Sequence, residues 1–86
     1  MIHLTKEQYL EIIQHCQNEY PKEACGILCG KIVQSSSSNV KRIVTNIYKM
    51  ANISDSPETC YFMNPEEQLK VFKEIRKLGI EMLGIY

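Results

Sequence analysis

Residues 20–30, Y-P-K-E-A-C-G-I-L-C-G, decide how the rest of the chain is read. One acidic side chain, Glu23, stands immediately before the almost wholly apolar run from Ala24 to Val33. That run is too apolar for a strand with one wet face, and it predicts a strand covered on both sides. Gly26 and Gly30 weaken a strand, so their presence predicts a bulge or the close approach of another backbone. Pro21 ends the element before it, because the residue preceding a proline is pushed out of helical geometry.

Upstream of Pro21 the pattern predicts a helix from Thr5 to about Asn18. Thr5 is a good N-cap and Gln8 completes a capping box, with Leu4 and Tyr9 at the staple positions. Tyr9, Ile12, Ile13, Cys16 and Tyr20 recur at helical spacing as an apolar stripe. Lys6, Glu7, Glu11, Gln14 and Gln17 fall on the other side, and His15 reads as a solvated histidine on the helix surface.

Downstream, Gln34 to Asn39 contains four serines in a row and reads as a hairpin loop. Val40 to Met50 is β-branched and partly alternating, the second strand of an antiparallel hairpin. Ala51 to Thr59 is a polar loop containing Pro57, and Cys60 to Met63 a short extended piece. Asn64 then caps a second helix, with Pro65 at its first position and Glu66 and Glu67 in its first turn. Leu69, Phe72, Ile75 and Leu78, supported by Val71, make its apolar stripe. Lys73, Arg76 and Lys77 complement the dipole, and Gly79 ends the helix. Glu81 to Tyr86 is a third apolar strand. The order helix, β-hairpin, helix, strand predicts a single α/β domain over residues 1–86, its sheet lying between layers.

Composition narrows the function classes. Eighty-six residues bury one core with a thin stability margin. The formal net charge is zero, which offers nothing to nucleic acid or an anionic membrane surface. No apolar run approaches the roughly 20 residues that cross a bilayer. The N-terminus lacks the basic-then-apolar pattern of a secretion signal, so a cytoplasmic location is expected. The four cysteines, Cys16, Cys25, Cys29 and Cys60, are then expected to be reduced, buried thiols. On a strand, Cys25 and Cys29 stand roughly 13 Å apart, too far to share one metal ion.

Glu23 has two readings from its residue type alone. It is a solvated acid at a strand entrance, or a general base held at the edge of a low-dielectric site. The run Pro21-Lys22-Glu23-Ala24-Cys25-Gly26-Ile27-Leu28-Cys29-Gly30 resembles the P-x-E-x-C-G-x-L-x-G opening of the JAMM/MPN metalloprotease family, in its short prokaryotic branch. The likeness continues through Asn52 in A-N-I-S and through Tyr61-Phe62-Met63-Asn64-Pro65-Glu66-Glu67-Gln68, similar to the family's helix start. It ends at Gly84-Ile85-Tyr86, which looks like the strand before the family's H-x-H-P.

The resemblance implies an incomplete JAMM/MPN (cytidine-deaminase-like) fold and a zinc-dependent peptidase chemistry. In the family, zinc is held by the two histidines of H-x-H and a later aspartate, a serine helps to stabilise the oxyanion, and the glutamate moves the proton of a zinc-bound water. Members cleave after the C-terminal glycine of ubiquitin-like proteins, and prokaryotic relatives process sulfur-carrier proteins. Of those site residues only Glu23 has a counterpart here, as the catalytic acid–base. His3 and His15 stand in the wrong context, Asp55 lies in a loop, and there is no H-x-H.

The chain is therefore expected to be the N-terminal part of such a peptidase, inactive alone and binding no zinc alone. The alternative is a non-catalytic MPN-like interaction module, which would self-associate or dock on a partner through an exposed sheet edge and an apolar face. A small zinc protein built on the cysteines and His15 is disfavoured by their spacing.

Overall fold

The computed structural model describes residues 2–34 and 39–86. Six elements follow one another: strand β1 (Ile2–His3), helix α1 (Lys6–Glu19), strands β2 (Cys25–Gln34) and β3 (Val40–Met50), helix α2 (Pro65–Leu78) and strand β4 (Glu81–Ile85). The strands form one sheet in the order β1-β3-β2-β4. β2 runs antiparallel to both its neighbours, and β1 lies parallel to β3. This is the expected α/β order with one addition. β1 rests on two residue pairs, Ile2 with Arg42 and His3 with Ile43, too short to leave a period in the sequence. The serine loop lies outside the described residues at 35–38. Gln34 pairs with Val40 across it, so β2 and β3 form the expected hairpin.

The core sits on both faces of β2. Cys25, Ile27 and Cys29 alternate onto one face and join Met50, Met63 and Val71, with Tyr48, Ile75 and Ile80 packed against them. Ile27 alone is 1% exposed, a burial that contributes about 1.5–3 kcal/mol. α2 covers this face through Val71 and Ile75, one turn apart. Leu28 and Val44 are buried on the opposite face, under α1. There Gln8 donates from Nε2 to the Val44 carbonyl at 2.8 Å. The sheet therefore lies between the two helices.

The helix ends are where the cap chemistry puts them. The Thr5 hydroxyl accepts from the Gln8 N–H at 3.1 Å, and the Gln8 carbonyl oxygen accepts from the Thr5 N–H at 2.9 Å. Asn64 Oδ1 accepts from the N–H groups of Glu66 and Glu67. Gly79 takes the left-handed conformation, φ 70° and ψ 29°. Its N–H reaches Arg76 O and the Ile80 N–H reaches Ile75 O, the paired bonds of a Schellman motif.

Three expectations about side chains are corrected. His15 is buried, 7% exposed, and is not a solvated surface residue. The face of α1 turned to the sheet carries Gln8, Ile12 and His15, because Gln8 and His15 both find polar partners there. Tyr9, Ile13 and Cys16 each follow one of the inward residues, so they lie about 100° round the helix and stay exposed; Tyr20, past the helix end, is exposed as well. In α2 likewise Leu69, Phe72 and Leu78 are exposed, while Val71 is buried and Ile75 half-buried. Finally, only Cys25 and Cys29 are buried thiols; Cys16 and Cys60 are exposed, and all four are free. Burial pushes the Cys25 and Cys29 thiols up, so both stay protonated at neutral pH.

The two glycines of β2 mark close approaches, Gly30 to backbone at a bulge, as expected, and Gly26 to the Tyr86 side chain. The register slips against β3 between Cys29 and Gly30, leaving Thr45 unopposed, and against β4 between Leu28 and Cys29, leaving Leu83 unopposed. Where the sheet bends, a Cβ on Gly30 would collide with the Ile43 carbonyl, and one on Gly26 with the Tyr86 ring.

Candidate functional site

Glu23 lies in the short connection between α1 and β2, two residues before the first residue of the strand. The chain reaches it through Tyr20, whose ψ of 135° ends the helix before Pro21. The Lys22 N–H closes on the Glu19 carbonyl at 2.8 Å. Both peptide groups of Glu23 are then tied to the loop after β3. Its N–H donates to Pro57 O at 2.6 Å, and its carbonyl accepts from Asn52 Nδ2 at 2.9 Å. The side chain is exposed, so the described residues do not supply the low-dielectric setting expected of a general base. The Glu11–Lys49 ion pair and the contact of Glu19 with His15 do not involve Glu23.

Asn52 organises that loop. Its Nδ2 faces three carbonyls, those of Glu23, Pro57 and Cys60, at 2.9, 3.3 and 3.1 Å. Its Oδ1 accepts from the N–H groups of Ser54 and Phe62. The Ser54 bond is an Asx turn, the local chemistry that makes asparagine a loop residue. The other partners come from further away, and nothing in a polar loop sequence announces them. Asn52 also pairs with Met63, which accounts for the extended piece expected at residues 60–63. At the loop's start, the Ala51 N–H is taken by Glu67 from the first turn of α2.

The end of β4 arrives beside this entrance. Tyr86 N–H donates to Gly26 O and Gly26 N–H to Tyr86 O, each at 3.1 Å. The Tyr86 side chain packs on Gly26, and its hydroxyl lies 2.8 Å from His15 Nδ1. The rings meet edge to face, 5.8 Å between centroids. His15 Nε2 is 3.8 Å from the Glu19 carboxylate. The proton arrangement consistent with these neighbours has N–H on Nε2, facing Glu19, and Nδ1 accepting from the phenol.

Burial, and then the charges of Cys16, Glu11 and Cys25, push the Tyr86 phenol up to about 12. The native state therefore holds this proton more tightly than the unfolded chain does. The stabilisation is fully present below the ordinary tyrosine range near pH ~10 and is lost as pH rises towards the folded value. We expect a phenolate absorbance titration of the five tyrosines to show late-titrating groups, Tyr86 and Tyr48. Tyr86→Phe is expected to remove one late step and flatten the alkaline loss of stability. An unchanged titration in that variant would overturn the assignment.

Among the described residues no three His, Cys, Asp or Glu side chains converge where a metal ion could sit. Cys25 and Cys29 share a face of β2 but not a point, His3 and His15 lie on separate elements, and Asp55 stays in its loop. The described residues thus do not make the zinc site that the resemblance implies for a whole domain. None of their helices is long and apolar enough to cross a membrane.

Comparison with known proteins bears on the fold. The chain is 29% identical over 66 residues, 77% of its length, to a desampylase of Haloferax volcanii, and covers 42% of that protein. It is 31% identical over 72 residues, 84% of its length, to a probable TtuB-protein conjugate cleaving protease of Thermus thermophilus, again covering 42% of the relative. The chain thus spans less than half the length of these two relatives. The solution structure of a Desulfitobacterium hafniense protein superposes with a TM-score of 0.81 at 40% identity, over 99% of this chain and 54% of that one. The family described as prokaryotic homologs of the JAB domain matches residues 5–86, from the cap of α1 to the residue paired with Gly26, and the chain belongs to that family.

Proposed function

We propose that this chain supplies the acid–base carboxylate, Glu23, of a hydrolase that releases ubiquitin-like or sulfur-carrier proteins from their conjugates. The bond cleaved is the peptide or isopeptide bond after the carrier's C-terminal glycine. The observation that carries the reading is the placement of Glu23 at the entrance to β2, three residues before the Gly26–Tyr86 pair. The names of the two relatives, one a desampylase and one a conjugate cleaving protease, support the substrate class. Glu23 takes a proton from the attacking water and returns it to the leaving amine. The main-chain bonds to Pro57 and Asn52 hold its Cα while the side chain stays free to reach.

Zinc is the cofactor we propose for a complete domain, and its ligands are not among the described residues. Residues 1–86 alone are therefore expected to bind no zinc and cleave nothing. The four free thiols fit a cytoplasmic protein. The test is to read the gene past the Tyr86 codon and to assay its complete product on a conjugate of a ubiquitin-like protein, with and without a zinc chelator. Cleavage that the chelator abolishes supports the proposal. A folded product that leaves the conjugate intact under all conditions overturns it.

A second reading is favoured by the open stripe on α1. Tyr9, Ile13, Cys16 and Tyr20 are exposed together, and β4 pairs on one side only among the described residues. As an interaction module, residues 1–86 would associate with themselves through these surfaces. Sedimentation is then expected to show mass above that of a monomer, rising with concentration. A monomer throughout removes this reading.

A further inference from the structure

We propose that Asn52 is the positioning residue of Glu23, an inference that rests on the acid–base reading above. The bonds form a closed ring. Glu23 N–H donates to Pro57 O, Asn52 Nδ2 contacts that same oxygen, and Asn52 Nδ2 also holds the Glu23 carbonyl. Of the two peptide planes that flank the Glu23 Cα, one is held directly by a side chain 29 residues away and the other by Pro57 O, which that same side chain contacts. A residue that merely folded its own loop needs only the bonds to Ser54, Pro57, Cys60 and Phe62. The bond to Glu23 adds nothing to the loop's internal order, but it fixes the point from which the carboxylate reaches. Acid–base groups work only within hydrogen-bond reach of the proton they move, so the placement of that Cα bears directly on rate.

The amide is needed for both of its ends. Oδ1 serves the loop through Ser54 and Phe62, and Nδ2 serves the carbonyls. Asn52→Asp separates the two roles. It keeps the acceptor for Ser54 and Phe62 and turns the donor into an oxygen facing three carbonyl oxygens. Asn52→Ser removes the same donor without adding charge.

The experiment is amide hydrogen exchange on residues 1–86, read residue by residue, with the complete gene product assayed in parallel. In Asn52→Asp the Glu23 N–H is expected to exchange roughly two- to tenfold faster, because its acceptor, Pro57 O, loses the side-chain contact that holds it in place. The Ile27 and Leu28 amides are expected to keep their native rates. In the complete product kcat is expected to fall with KM unchanged. Unchanged exchange at Glu23 overturns the proposal. So does faster exchange throughout β2, which would make Asn52 a residue of the fold at large. Where Asn52→Asp does not fold, Asn52→Ser is measured the same way, and failure of both to fold also overturns it. Loss of kcat in Glu23→Gln but not in Asn52→Asp rejects the positioning role alone. Full activity in Glu23→Gln rejects the acid–base reading, whatever the exchange shows.

Discussion

Gly30→Ala is expected to remove a large share of this domain's stability. A methyl group at that position meets the carbonyl oxygen of Ile43, and the peptide behind it, across the β2–β3 bulge. Both partners are backbone, so no rotamer relieves the contact and the strands must part where the register slips. Parting them disturbs Cys29 and Val44, which are buried on either side. A cost of about 3 kcal/mol or more is of the size seen when a packed interior is forced apart. An 86-residue domain has only about 4–13 kcal/mol in total.

Two other glycines calibrate the result. At Gly26 the added methyl meets the Tyr86 ring, which can swing away by giving up its bond to His15. At Gly79 nothing stands within 4 Å, and alanine costs about 1 kcal/mol for holding φ at 70°. Urea unfolding followed by circular dichroism is expected to rank the losses Gly30→Ala, Gly26→Ala, Gly79→Ala. A Gly30→Ala midpoint no lower than that of Gly79→Ala would show that the bulge accommodates a side chain.

The sequence announces Gly26 and Gly30 because a strand has little other use for glycine. It announces the helix ends for a similar reason. Thr5 with Gln8, Asn64 with Pro65, and Gly79 are local signals whose partners lie within a turn, and all of them formed as expected. Signals that depend on distant partners were not legible. An isolated histidine on a helix surface is usually solvated; His15 is buried instead, against Tyr86, 71 residues away. The apolar stripe on α1 pointed to the wrong face. Polar residues with sheet partners, Gln8 and His15, fixed the rotation of the helix, and periodicity counts only apolar ones. β1 was missed because two residues have no period. Glu23 was found by its oddity, a charge before a buried strand, and by family resemblance. Asn52 stands out in the sequence only within a motif; of its three carbonyl partners two belong to its own loop, and Glu23, 29 residues away, could not be read from the sequence.

Glu23→Gln is expected to lower kcat of the complete gene product by about 10²–10⁴-fold, the range that acid–base catalysis by one side chain contributes. The substitution keeps the shape and removes the ability to take and return a proton. Stability is expected to be unchanged, because Glu23 meets the rest of the chain through its N–H and carbonyl, which glutamine also has. Its side chain is exposed, so no buried charge is left without a partner. Substrate affinity is expected to hold as well, since a role confined to proton transfer appears in kcat rather than KM. The prediction thus has three readouts that a structural glutamate would not give together: lost turnover, native unfolding midpoint, native KM. A variant that loses turnover and midpoint in parallel marks Glu23 as a structural acid of the strand entrance. A variant that keeps full turnover leaves the carboxylate as a solvated charge and passes the functional argument to the open face of α1.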